Sequence, residues 1–427
     1  MEMVLLLGLL LFFIATSLPI GISIGLATLI TMVTTTDTPT IMMAQYAFTS
    51  LDSFPLMAIP FFIMAGNLMS TGGISRRIVN FANEIIGDVT GGLGIVTIIA
   101  CTFFAAISGS GPATVSAIGA MMIPEMYKSG YPKAFGTALT CAGGTIGCII
   151  PPSIPFVVYC VITGASVGQL FTAGFLPGLL MSLVLSVICY FESKKHGYGK
   201  TGEKKVKIGK FKSFIDSFWA LLTPLIILGG IYSGMFTPTE SAVVAIVYAI
   251  FAGMFIYKEL TLDLVLTSIK ETAVMTGITL FTIGLAASFA SYLTMEQIPA
   301  KIATSMLALT QNKYIILMLI NIFLLICGCF IDNISIITIT TPIFMPIVTA
   351  LGVDLIHFGV IITLVTTIGF VTPPYGANLF VATALTGLKI EEIVKPLMPF
   401  FIGLLICLVL TTYIPGLSLL LVDMFFR

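Results

Sequence analysis

Two clusters of small and polar residues interrupt long apolar runs: Ser108-Gly109-Ser110-Gly111-Pro112 and Ile331-Asp332-Asn333. Each is followed by a second interruption. The first is Gly143-Gly144-Thr145-Ile146-Gly147 leading to Pro151-Pro152-Ser153, and the other is Thr366-Thr367-Ile368-Gly369 leading to Thr372-Pro373-Pro374-Tyr375-Gly376-Ala377-Asn378. Proline removes an amide donor and clashes with the carbonyl one turn back, so a Pro-Pro pair unwinds a helix. The freed carbonyls need partners. A desolvated sodium ion takes several hard oxygens, and half-helix N-termini face anionic groups. Ser108, Ser110, Thr145, Ser153, Asn333, Thr372 and Asn378 add neutral oxygens to the same stretches. Ser, Asp and Asn also cap helices, so Ser110 and Asp332 have a second reading as caps of the segments that follow them. Asp332 is the sharpest case, because an ionisable residue within an apolar run is costly and functional by default. Glu240, in Phe236-Thr237-Pro238-Thr239-Glu240-Ser241, reads more simply as a cap at the start of its span.

These residues sit in a chain of 427 that is 58% apolar and 9% charged. Soluble domains carry about 25% charged residues, so soluble, disordered and collagen-like classes are excluded. The expectation is an all-α polytopic membrane protein. Lys plus Arg equals Asp plus Glu, 19 each, which gives no electrostatic footprint for nucleic acid. The eight cysteines all fall in apolar runs without CxxC spacing, and the only histidines are His196 and His357. A zinc site needs several such side chains at one point, so the cysteines read as packing residues. No Walker lysine follows a Gly-rich turn, HExxH is absent, and the Gly-Ser-Gly of the first cluster has no histidine near it. No catalytic residue or cofactor is expected.

Runs able to span a bilayer lie near 3–34, 54–70, 177–191, 214–235, 239–257, 272–293 and 398–422. The first has no positive n-region or cleavage site, so it reads as a membrane helix, not a signal peptide. In Gly92–Tyr127 two arms flank the Ser-Gly cluster, each spanning only about 22–24 Å at helical rise. That falls short of the roughly 30 Å hydrocarbon core, and an exposed Gly-rich tip cannot face lipid. A re-entrant hairpin over 92–127 follows, with a second over 314–350. Residues 133–163 and 355–386 read as broken helices. Ile74, Ile78, Phe81, Ile85 and Val89 share one face at helical spacing, as expected of an interfacial helix. Residues 192–213 hold eight lysines against two acids, which makes this loop cytoplasmic by the positive-inside rule.

The chain also matches itself at an offset of 222. Pro151-Pro152 falls on Pro373-Pro374, Thr145-Ile146-Gly147 on Thr367-Ile368-Gly369, Pro124 on Pro346, Gly130 on Gly352 and Pro177 on Pro399. Ser110-Gly111 falls on Asp332-Asn333. Proline and glycine mark departures from helix geometry, so their coincidence carries more than apolar matches do. Counting spans outward from the basic loop makes corresponding segments antiparallel in the membrane. The expected plan is a first inverted repeat at 1–191, the loop 192–213, a linking helix 214–235 and a second repeat at 236–427, with N-terminus inside and C-terminal Arg427 outside. Inverted repeats with broken helices are the hallmark of secondary transporters.

SGSGPATVSAIGAMMIPEM, GGTIGCIIPPSIPFVVY, GMFTPTESAVVAIVYA, GCFIDNISIITITTPIFMPIV and GFVTPPYGANLFVA together resemble the large membrane subunit of tripartite ATP-independent periplasmic (TRAP) transporters. The resemblance covers nearly the whole chain. It implies an elevator-type fold with scaffold and mobile transport domain, in the bacterial inner membrane. It further implies sodium-driven import of an organic acid anion, of the sialic-acid or C4-dicarboxylate class. The implied partners are a small integral-membrane subunit and a periplasmic substrate-binding protein. Carried over by position, one sodium site involves Ser108, Ser110, Gly111, Gly144, Thr145 and Gly147. A second involves Asp332, Asn333, Thr372 and Gly376. Substrate would sit between the tips, near Ser108, Ser110, Pro112, Thr145, Ser153, Asn333, Tyr375 and Asn378. A proton-coupled or stand-alone anion transporter of similar fold is the alternative.

Overall fold

The computed structural model describes residues 2–16, 18–36, 38–87, 89–199 and 209–426, and these residues contain helices and turns but no strand. Lys200, Lys204, Lys205 and Lys207 of the basic loop, and Arg427, lie outside the described residues. The first half comprises α1 (Glu2–Ala15), α2 (Ile20–Thr35), α3 (Ile41–Leu51), α4 (Ala58–Thr71), α5 (Ile74–Ile86), α6 (Gly92–Ser108), α7 (Gly111–Lys128), α8 (Lys133–Thr145), α9 (Ile154–Thr163) and α10 (Val167–His196). The second comprises α11 (Lys210–Tyr232), α12 (Pro238–Phe251), α13 (Leu262–Met295), α14 (Ile298–Leu309), α15 (Lys313–Gly328), α16 (Asn333–Ala350), α17 (Leu355–Ile368), α18 (Ala377–Thr386), α19 (Ile390–Tyr413) and α20 (Gly416–Phe426). Among the described residues, seven helical segments are long and apolar enough to cross a membrane. The protein is an all-α polytopic membrane protein.

Helix boundaries repeat at the offset found in the sequence. Moved back by 222 residues, α16 covers 111–128, the range of α7. In the same way α17 falls on α8, α18 on α9 and α13 on the stretch from α3 to α4, within a few residues at each end. The pairs α6/α7 and α15/α16 each fold back on themselves. Beyond each hairpin the helix breaks into a 3-10 turn, Ile146–Cys148 or Gly369–Val371, before the Pro-Pro pair. The peptide bonds Pro151-Pro152 and Pro373-Pro374 are both cis.

Three expectations need correction. Residues 3–34 are two helices, not one span, because Pro19 sits extended at the N-cap of α2 and α1 packs against α2. Leu6 and Leu10 are buried in that contact region with Ile24 and Ala27. The basic loop is shorter than 192–213: α10 continues to His196, with Lys194, Lys195 and His196 near its C-terminal carbonyls, and α11 begins at Lys210. The apolar face of α5 is also narrower than its spacing suggests. Ile74, Ile78, Val79 and Ala82 are buried, whereas Ile85 is exposed and Val89 lies beyond the helix. As expected, Glu240 caps its span, forming a reciprocal capping box with Thr237.

α5 is held against α11 and the end of α12 by one cluster. Arg77 stacks over Tyr257, its guanidinium carbon 3.6 Å from the ring centroid. Its Nη1 donates to Glu259 Oε1 at 2.8 Å and to Gly73 O at 3.0 Å, while Arg76 Nη2 donates to the same carboxylate at 2.6 Å. Gly73 has φ +79°, and a Cβ there would collide with Glu259. Phe81 packs on Phe214, and Ser217 Oγ donates to Arg77 O at 2.9 Å. The Arg77 side chain is 13% exposed and that of Arg76 59%. Arg77→Gln should therefore destabilise the protein by roughly 1–3 kcal/mol, since it removes the stack on Tyr257 and the bonds to Glu259 and Gly73, leaving Glu259 only the more exposed Arg76. Arg76→Gln should cost less. Thermal unfolding of the two variants in detergent checks the order, and equal losses would show that Arg77 has no special role.

Candidate functional site

Each hairpin tip ends one helix and starts the next. Gly109 closes α6 at φ +63°, and Ser110 is the N-cap of α7, its Oγ accepting from Ala113 N at 3.5 Å. Pro112 occupies the first turn of α7, where no amide donor is needed. The matching cap of α16 is Asp332: Oδ2 accepts from Ser335 N at 3.0 Å and Oδ1 from Ser335 Oγ at 2.6 Å. Both cap readings thus hold, and in the second half the cap is an ionisable carboxyl group.

The first tip lies against the first break. Ile154 N donates to Gly109 O at 3.3 Å. A Cβ on Gly147 would come within 2.6 Å of Ser110 O and Thr114 Oγ1, and one on Gly144 within 3.2 Å of Gly111 O. Only glycine allows this approach. Ser108, Ser110, Gly111, Gly144 and Gly147 are thereby brought together, with Ser108 Oγ 3.2 Å from Thr114 Oγ1. Thr145 is buried beside them, its hydroxyl donating to Ala142 O at 2.6 Å. The result is an uncharged cluster of carbonyl and hydroxyl oxygens of the kind that suits a hard cation. Among the described residues no group of three His, Cys, Asp or Glu is placed to hold a metal ion.

The second tip meets its own break. Tyr375 N donates to Cys329 O at 3.0 Å, and a Cβ on Gly369 would come within 2.7 Å of Gly328 Cα and O. Thr372 Oγ1 donates to Ile368 O at 2.9 Å, and Gly376 (φ +29°) precedes α18. Asp332 and Tyr375 line a cavity of about 600 Å3, closed on the other side by Pro19–Ile22 and by residues 277–282 of α13.

The other residues expected around a substrate do not line this cavity. Ser153 is fully buried, and its Oγ is spent donating to Cys148 O at 2.5 Å and capping Phe156 N. Asn378 is fully buried against Gly111 and Gly144 of the opposite half. Its Nδ2 donates to Cys141 O at 2.9 Å, while its Oδ1 has no partner. Asn378 therefore belongs with the first oxygen cluster. Sequence spacing also passed over Cys148. Its Sγ accepts from Gly111 N at 3.3 Å and lies 3.8 Å from Asn333 Nδ2, so the first tip, the second tip and the first break meet at this thiol. No local signal marks these contacts of Asn378 and Cys148, since both join positions far apart in the chain.

Residues 7–417 match the family model described as "Tripartite ATP-independent periplasmic transporter, DctM component". The chain belongs to this family. It is a large permease subunit of a tripartite transporter, not an enzyme. The chain is similar to the isethionate TRAP transporter permease protein DctMQ of Oleidesulfovibrio alaskensis, at 46% identity over 95% of this chain and 64% of that protein. It thus spans under two thirds of that relative. The C4-dicarboxylate large permease DctM of Pseudomonas aeruginosa is 42% identical over 93% of each chain. The sialic acid large permease SiaM of Vibrio cholerae is 38% identical over 96% of this chain and 95% of its own length. Among solved structures, the YdaH transporter of Alcanivorax borkumensis superposes with TM-score 0.66 at 15% identity, covering 89% of this chain and 88% of its own. MtrF of Neisseria gonorrhoeae gives 0.59 at 14%, covering 87% and 83%. These two likenesses speak to the fold alone.

The contact of Gly369 with Gly328 yields a prediction for the permease. Gly369→Ala should part the second tip from its break and abolish most transport, because backbone atoms on both sides cannot yield. Gly229→Ala, with nothing within 4 Å of the added carbon, should leave it unchanged. Uptake by the two variants at matched expression checks this, and normal uptake by Gly369→Ala would show that the close approach is dispensable.

Proposed function

We propose that this permease imports an organic acid anion across the bacterial inner membrane, driven by sodium and supplied by a periplasmic binding protein, with a small membrane subunit as its companion. The observation that carries the reading is Asp332, a carboxylate capping a hairpin tip and lining the cavity between that tip and α2 and α13. An ionised carboxylate in low-dielectric surroundings needs compensation by a cation or by donors. Its two contacts to Ser335 supply part of it, and a sodium ion beside the tip would supply the rest. The oxygen cluster of Ser108, Ser110, Gly111, Gly144, Thr145, Gly147 and Asn378 is the proposed first sodium site. Asp332 and Asn333 with Thr372 and Gly376 form the second. Substrate is placed in the cavity beside Tyr375. The relatives' named substrates differ, isethionate at 46% identity, C4-dicarboxylate at 42% and sialic acid at 38%, and the last two lie four points apart. Identity therefore favours neither a C4-dicarboxylate nor sialic acid.

Vesicles holding the permease, its small subunit and loaded binding protein should accumulate substrate only when sodium is higher outside. Equal uptake in potassium would reject sodium coupling. Asp332→Asn separates cap from compensator, since Asn caps about as well. The half-saturating sodium concentration should rise by well over about tenfold, equivalent to about 1.4 kcal/mol or more. An unchanged value would leave Asp332 a cap.

In the proposed topology the loop after α10 is cytoplasmic, and α10, α11, α12 and α13 alternate from it. With α1 folded back on α2, the N-terminus comes to the periplasmic side, opposite to the expectation from a single span at 3–34. Lys204→Cys in a cysteine-free background should resist an impermeant reagent added from the periplasm, whereas Glu2→Cys should react. Labelling at position 204 would reverse the whole orientation.

A further inference from the structure

One corner of the protein, where α5, the start of α11 and the end of α12 meet, carries chemistry that transport leaves unused. The last turn of α12, Ala252–Ile256, is π-helical. Lys258 then takes φ +55°, so that Glu259 N and Leu260 N turn back to Gly253 O at 3.0 and 3.1 Å. Glycine is the usual residue in this left-handed position after a helix, and a Cβ there strains the backbone. The chain instead places an exposed cation at this point.

The corner is short of negative charge. Arg76 and Arg77 share one oxygen, Glu259 Oε1, and Asp216 Oδ1 stands 3.8 Å from Arg77 Nε. Three cations thus face two carboxylates. Arg77 meets both carboxylates, whereas Arg76 and Lys258 stay exposed. The repeat does not require this arrangement. At the offset of 222, Arg76, Arg77, Tyr257 and Lys258 fall on Ile298, Pro299, Thr35 and Thr36. In the topology proposed above the cations belong to the cytoplasmic face alone.

An apolar ridge runs from this corner into the membrane. Phe255, Phe251, Val247 and Val243 follow at four-residue spacing along α12 and its last turn, and all four are exposed. From 255 to 243 is about 18 Å at helical rise, close to one leaflet of a hydrocarbon core roughly 30 Å thick. Trp219 of α11 flanks the ridge, its ring 6.2 Å from that of Phe251. Cations at the end of a leaflet-long ridge match the form of an anionic phospholipid.

We infer that this corner binds one anionic phospholipid of the cytoplasmic leaflet. Arg76 and Lys258 hold its phosphate, and one acyl chain lies along the ridge from Phe255 to Val243. Free phosphate would meet the cations but not the ridge. The sidedness rests on the proposed topology, and the contacts do not. Attraction to an anionic leaflet is equivalent to about fivefold in affinity for each Lys or Arg near the surface.

The test uses the permease with its small subunit, stripped of lipid in neutral detergent and titrated with phosphatidylglycerol or phosphatidylcholine. Native mass spectrometry counts the bound lipid, and thermal unfolding reads its effect. Phosphatidylglycerol should fill one site and raise the unfolding temperature, with phosphatidylcholine far weaker. Arg76→Gln with Lys258→Gly should weaken that site about twentyfold. Lys270→Gln with Lys395→Gln removes the same charge elsewhere and should leave it unchanged. Lys258→Gly is decisive alone, because it relieves the left-handed backbone and keeps the bonds of Arg76. Its affinity should fall about fivefold, while the lipid-free protein unfolds no earlier. Unchanged affinity in Lys258→Gly overturns the site. Equal losses in the two pairs would show diffuse attraction and also overturn it. Protection by glycerol phosphate equal to that by the lipid would overturn the role of the ridge. Sodium-driven uptake is measured separately, so none of these outcomes bears on the transport reading.

Discussion

A backbone amide or carbonyl left unpaired in hydrocarbon costs several kcal/mol, and the centre of this protein is built to avoid that cost where four helices stop short. Each hairpin tip and each broken helix exposes chain ends at membrane depth. Here the ends meet one another. Gly109 O takes Ile154 N, and Cys329 O takes Tyr375 N. These contacts lie within two residues of corresponding positions in the two halves, each joining a tip to its own break. Glycines at 144, 147, 328 and 369 are where the backbones come too close for a side chain. At the first tip one oxygen, Asn378 Oδ1, is left buried without a partner.

The two halves interlock as well as mirror each other. Lys133 Nζ, at the start of α8, donates to Thr386 O at the end of α18, while Tyr159 Oη, in α9, donates to Leu355 O at the start of α17. Asn378 reaches across to Cys141, and Asn333 approaches Cys148. Each broken helix is tied to its partner from the other repeat at the end where it needs support. Bonds of this kind make the two hairpins and two broken helices one packed unit.

The sequence made the breaks legible because proline and glycine act locally: each constrains its own turn, and their recurrence at 222 exposes the repeat. Hairpin and broken-helix limits followed to within a residue or two. The break at Pro19 stayed hidden for the opposite reason. One proline in an unbroken apolar run is compatible with a kinked span, and only the packing of Leu6 and Leu10 distinguishes a reversal. The contacts of Asn378 and Cys148 were not legible because their neighbours lie in other segments. Spacing places a residue on an element, but it does not say which distant element that residue will touch.

Ser110 and Asp332 occupy equivalent caps, and each satisfies the same backbone donor three residues on. Capping alone accepts Ser, Asp or Asn about equally, so it does not explain a carboxylate in one half and a hydroxyl in the other. What the two caps do not share is an ionisable group, which only Asp332 has. Were it ionised at membrane depth, that carboxylate would need a cation or donors to offset its cost, and the contacts from Ser335 N and Ser335 Oγ are the donors the fold itself supplies.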